Sequence, residues 1–130
     1  MSIPDGEYKA FCAGENSDKQ WLTASPDERV HLRADIASHW QVKNTPMGAT
    51  LNVGGRFLYG VPKDGKVKLS GENDGSGVYW EVTIKGQYYL IRCMDPSGKK
   101  RYLDGQTEEG RVYLHSDTSR SGSRWLLLPT

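Results

Sequence analysis

The sequence has no run of about 18 apolar residues, so a membrane-crossing helix is not expected. Nor does it open on a basic and then apolar segment. Met1-Ser2-Ile3-Pro4-Asp5-Gly6 lacks the pattern of a signal peptide. Cysteine is scarce: Cys12 and Cys93 are the only two, too few for a disulfide scaffold. No Asn-x-Ser/Thr acceptor occurs, since Asn16-Ser17-Asp18 and Asn44-Thr45-Pro46 both fail at the third position. An excess of one charge is also missing. Seventeen Lys and Arg face sixteen Asp and Glu, for a net charge of +1. That balance excludes a broadly basic nucleic-acid surface. These absences lead to the expectation of a cytoplasmic protein with neither nucleic acid nor membrane as partner. At 130 residues the chain is expected to be a single domain, 1–130.

What is present is aromatic area and punctuation. Seven Tyr and four Trp supply a core in a chain that is only 36% hydrophobic. Fifteen Gly and six Pro interrupt the sequence too often for a long helix. The segments between them alternate apolar and polar residues, the period of a strand. Val30-His31-Leu32, Val67-Lys68-Leu69 and Val112-Tyr113-Leu114 are examples. One helical turn is expected, at Ala34 to Ala37. The class is all-β.

An internal repeat specifies the architecture further. Leu22, Val30, Leu32, Trp40 and Val42 form one copy. Leu58, Val67, Leu69, Trp80 and Val82 form the second, and Leu103, Val112, Leu114, Trp125 and Leu127 the third. From the Val-x-Leu leucine to the Trp, the spacing is 8 residues in the first copy and 11 in the others. Strand-like lead-ins precede each copy at Tyr8-Lys9-Ala10, Leu51-Asn52-Val53 and Tyr89-Leu90-Ile91. Three copies of four short strands give twelve strands, with repeats at about 3–45, 46–84 and 85–130. Three units are too few to close a propeller, and the pattern predicts a β-trefoil with the three Trp side chains in its core.

The Trp placed two residues before an apolar residue resembles the Gln-x-Trp repeat of ricin-B-type lectins. The Gln is absent each time, in Ser38-His39-Trp40, Val78-Tyr79-Trp80 and Ser123-Arg124-Trp125. The opening, Met1 to Tyr8, resembles that of mushroom β-trefoil lectins and of fungal protease inhibitors of the mycocypin and cocaprin type. The inhibitor resemblance implies a rigid loop filling the cleft of a papain-like cysteine protease, with pepsin-like aspartic proteases as a second class. The loop in that position is Ser25, Pro26, Asp27 and Glu28, where Pro26 biases Ser25 toward extended backbone. Ser-Pro-Asp is also ordinary turn chemistry. The lectin resemblance implies the alternative, a glycan site. Its carboxylate position holds Thr23, Tyr59 and Asp104 in the three copies. Its stacking position holds Arg33, Ser70 and His115, and its Asn position holds Ala37, Gly77 and Gly122. Only Asp104 and His115 keep any of that pattern, and Asp104-Gly105 equally suits a turn.

No enzyme is expected. Gly60 to Lys66 has phosphate-loop spacing, but Val67 stands where Ser or Thr should bind magnesium, and a strand follows instead of a helix. His31, His39 and His115 have no metal-ligand spacing, and no Gly-x-Ser-x-Gly turn occurs. Cys12 and Cys93 lie on lead-in strands, where inert buried thiols are expected, too far apart to bridge. No catalytic residue, metal or cofactor is therefore assigned. Exposed strand edges and aromatics leave room for a homodimer.

Overall fold

The computed structural model describes residues 3–14, 19–71 and 75–130. Twelve strands form one antiparallel sheet. They are β1 (Gly6–Cys12), β2 (Trp21–Ala24), β3 (Val30–Arg33), β4 (Trp40–Thr45), β5 (Gly48–Val53), β6 (Arg56–Val61), β7 (Lys66–Ser70), β8 (Trp80–Lys85), β9 (Tyr88–Cys93), β10 (Tyr102–Gln106), β11 (Arg111–His115) and β12 (Trp125–Pro129). Two single 3-10 turns, Ser76–Val78 and Ser121–Ser123, are the helical content among the described residues.

Six strands pair around a closed ring. β1 bonds β12 and β4, β4 bonds β5, β5 bonds β8, β8 bonds β9, and β9 returns to β12. The other six form three hairpins, β2–β3, β6–β7 and β10–β11, each joined to the ring through the strand before it.

The repeated residues explain this arrangement. Trp40, Trp80 and Trp125 are each at most 1% exposed. Each indole N–H donates to the carbonyl of the first leucine of its own copy: Leu22 at 3.2 Å, Leu58 at 3.0 Å and Leu103 at 3.0 Å. A buried indole thus gains its apolar area without an orphaned donor. The second leucines make an equally regular set. Leu32 N–H donates to the carbonyl of Gly110, Leu69 to Glu28 and Leu114 to Gly65, at 2.8–2.9 Å. Every hairpin turn therefore receives a bond from a neighbouring hairpin. Each acceptor lies two residues before the Val of its copy and has a left-handed backbone: Glu28 at φ 70°, Gly65 at 77° and Gly110 at 74°.

Close approach also matches across copies. Cys12, Val53 and Cys93 end β1, β5 and β9. A Cβ added at Gly105 would come within 2.5 Å of Cys12 Sγ, and one at Gly60 within 3.0 Å of Cys93 Sγ. In the first copy the corresponding place is Ala24, which packs against the core with Val53. Each sulfur thus faces a glycine, where the missing Cβ leaves room for it.

The helical turn expected at Ala34 to Ala37 does not form. The Arg33 guanidinium grips Asp35 through two contacts of 3.1 Å, and the Thr23 hydroxyl donates to the Ile36 carbonyl at 2.9 Å. The 3-10 turns occur in the second and third copies, between the Val-x-Leu and the Trp. The first copy, three residues shorter in that interval, has none.

Candidate functional site

The expected protease loop is a tied hairpin turn. Ser25 N–H donates to the Arg29 carbonyl at 2.9 Å, and its hydroxyl bonds the Asp27 carboxylate. Arg29 Nε lies 3.1 Å from Asp27 Oδ2. The Ser25 carbonyl accepts from Arg56 at 2.7 Å, and the Glu28 carbonyl from Leu69. A segment inserted into a protease cleft needs free main-chain groups to pair with the enzyme. Here the polar main chain of Ser25 and Glu28 is used inside the fold, and Pro26 and Asp27 belong to the same closed turn. Two other loop segments, 12–19 and 70–78, lie partly outside the described residues. Within the second, Gly77 is buried, and a Cβ there would meet the Tyr59 ring at 2.8 Å. The segment Gly60 to Lys66 is a hairpin turn, in which Asp64 and Gly65 N–H both donate to the Val61 carbonyl.

Asp104 is the unusual residue. It does not occupy a turn. It sits within β10 opposite Tyr113 of β11, and its side chain is 1% exposed. Oδ1 receives a long bond of 3.4 Å from the Gln106 amide. Oδ2 has no hydrogen-bond partner among the described residues; the nearest cation, Arg120 Nε, is 3.6 Å away. Burial pushes the carboxyl above the ordinary aspartate range, opposed by the positive charge of Arg120 and by His115. A buried, half-satisfied carboxylate is costly unless something else engages it.

Asp104 is one of the residues around a cleft of 240 Å³, with Asp64, Lys100, Gln106, Tyr113 and His115. His115 Nδ1 accepts the Asp117 N–H at 3.0 Å. Arg120 Nη1 lies 3.4 Å from His115 Nε2. The structure places Asp104 and His115 on the same cleft. It adds Lys100, Gln106 and Asp64, which sequence spacing missed. Lys100 arrives because its loop folds onto the β6–β7 turn, where Gly98 touches the Pro62 carbonyl so closely that a Cβ would sit 2.3 Å from it.

The lectin arrangement is not reproduced. The position of its Asn is Gly122, where a Cβ would fall 2.7 Å from Asp104 Oδ1, so no larger side chain fits beside the carboxylate. Of the equivalent residues, Thr23 is buried with its hydroxyl 2.9 Å from both the Trp21 and the Ile36 carbonyls. Tyr59 lies under the Lys68 ammonium at 5.4 Å.

Elsewhere the chemistry is subdued. Cys12 and Cys93 are free and buried. Burial pushes the Cys12 thiol up to about 11 and raises that of Cys93. Among the described residues no three His, Cys, Asp or Glu group as metal ligands, and no helix is long and apolar enough to cross a membrane.

No protein-family model matches the sequence, and no curated protein matches it either. The fold is similar to that of a salivary protein from Culex quiquefasciatus, described as belonging to the Cysteine and Tryptophan-Rich (CWRC) family. The TM-score is 0.81 at 16% identity, over 99% of this chain and 96% of that one. This overturns the expected kinship with mushroom mycocypins, cocaprins and ricin-B-type lectins: the neighbour is an insect salivary protein. Protease inhibition through Ser25 to Glu28 and glycan binding through Asp104 and His115 rested on that kinship and fall with it. What the comparison establishes for this chain is an all-β fold of twelve strands.

Proposed function

We propose that this chain is a β-trefoil binding module without catalytic activity, and that it takes a small zwitterion in the Asp104 cleft. The trefoil reading is supported by the closed ring of six strands, the three attached hairpins and the threefold sets of Trp and Leu bonds. The ligand reading is carried by one observation, the buried Asp104 Oδ2 that lacks a hydrogen-bond partner among the described residues. A protonated amine would satisfy that oxygen and relieve the cost of its burial. Lys100, on the same cleft, suits an anionic group at the other end of the ligand. Groups of both signs within 240 Å³ fit a molecule the size of a free amino acid.

Isothermal titration with glycine, L-glutamate, ethylamine and acetate tests this. The amino acids are expected to bind more tightly than either half-molecule, and Asp104→Asn to weaken them by roughly tenfold or more. Equal heats from wild type and Asp104→Asn, or binding by none of the four, would overturn the reading.

A further inference from the structure

The three Val-x-Leu segments share a feature unrelated to the Asp104 cleft. Each valine follows a basic residue: Arg29-Val30, Lys66-Val67 and Arg111-Val112. In a chain of net charge +1, these are three cations at equivalent places of the repeat. The fold then brings the segments together. β3 pairs with β11 through His31 and Arg111, and Leu69 of β7 bonds the Glu28 carbonyl. A groove of 420 Å³ lies between them at the hairpin end of the molecule.

Its floor is Val30, Val67 and Val112, one valine from each hairpin. Its cations are Arg29, Lys68 and Arg111, again one from each; in the second copy Lys68, two residues beyond Lys66, lines the groove. Glu28 is the one acid among the lining residues. The cations' present partners are weak. Arg29 pairs with an exposed Asp27, Arg111 stands 4.0 Å from Glu109 and donates to the Tyr113 hydroxyl at 3.2 Å, and Lys68 lies over the Tyr59 ring. Exposed pairs of this kind contribute little and exchange readily for a more highly charged partner. An apolar floor beneath the cations also raises the potential there, because solvent screens the groove from one side only.

We infer that this groove binds a compact phosphate oligoanion, each hairpin contributing one cation. A monovalent anion would meet the three cations less well, because it carries a single charge to share among them. The inference does not rest on the Asp104 cleft, although Tyr113 borders both sites.

The test is a titration with tripolyphosphate at low ionic strength, against chloride and acetate as monovalent controls. Saturable binding is expected. Arg29→Gln, Lys68→Gln and Arg111→Gln should each weaken it by roughly threefold or more, and added salt should weaken it further. Glu28→Gln should act in the opposite direction and tighten it. Lys43→Gln, on β4 and outside the groove, and Asp104→Asn should leave it unchanged. All five positions other than Asp104 are exposed, so these variants are expected to fold. The inference is overturned if tripolyphosphate gives no saturable signal. It is overturned equally if Lys43→Gln weakens binding as much as the groove variants, or if Glu28→Gln fails to tighten it.

Discussion

Among the described residues, Glu28 is the only one other than glycine with a positive φ, at 70°. Its two counterparts, Gly65 and Gly110, are glycines with φ of 77° and 74°. The left-handed backbone costs an L-residue about 1–2 kcal/mol. Substituting glycine removes that cost but adds roughly 0.5–1 kcal/mol of chain entropy in the unfolded state. Glu28→Gly should therefore stabilise the protein by about 0.5–1 kcal/mol. Unfolding entropy near 60 °C is about 2.1 cal/mol/K per residue, so for a chain of this length the rise in Tm is roughly 2–4 °C. Thermal unfolding followed by circular dichroism measures it. Glu28→Ala is the matched control, because it deletes the side chain yet keeps an L-residue in the left-handed region. It should not rise. An increase in Glu28→Ala equal to that in Glu28→Gly would locate the gain in the carboxylate and refute the backbone argument, as would no increase in Glu28→Gly.

Three further outcomes are expected. Because burial raises the folded-state pKa of Asp104, the folded chain holds that proton more tightly than the unfolded chain. The stability tied to the protonated form is complete below the ordinary value of 3.8 and is lost as pH rises through the raised one. The stability of Asp104→Asn relative to wild type should accordingly increase across that window in urea titrations taken at successive pH values; a difference independent of pH would contradict the burial argument. Both thiols should resist Ellman's reagent at pH 8 in the native protein and react fully in guanidinium, since Cys12, with its pKa near 11, is about one part in a thousand thiolate. Gly105→Ala should cost about 1–3 kcal/mol by overpacking against Cys12, and a double-mutant cycle with Cys12→Ala should recover part of that loss.

The all-β class and the strand positions were legible because the signals were periodic. Alternating Val-x-Leu segments and the recurrent Trp lie on strands, and the lead-ins at Tyr8, Leu51 and Tyr89 fall within β1, β5 and β9. The missing helical turn was also legible in principle, since the first copy is three residues shorter before its Trp than the copies that carry a 3-10 turn. Glu28 was misread because its loop was judged from Pro26 and turn composition. Comparison with Gly65 and Gly110, two residues before each valine, would have exposed the strained position. Asp104-Gly105 reads locally as a turn. Only the pairing of β10 with β11 and the closeness of Gly105 to Cys12 make it a buried strand segment. Lys100 could not have been assigned to the cleft, because a loop packing on Pro62 carries it there and leaves no periodic trace.

The bonds donated by Leu32, Leu69 and Leu114 run in one rotational sense: first copy to third, third to second, second to first. A stacked repeat array has end units that can fray while the rest stays folded. A directed cycle has no end unit. Loss of any one hairpin strands a donor in one neighbour and an acceptor in the other, so partial unfolding is penalised twice. The three copies should therefore melt as one cooperative unit, with calorimetric and van't Hoff enthalpies in agreement.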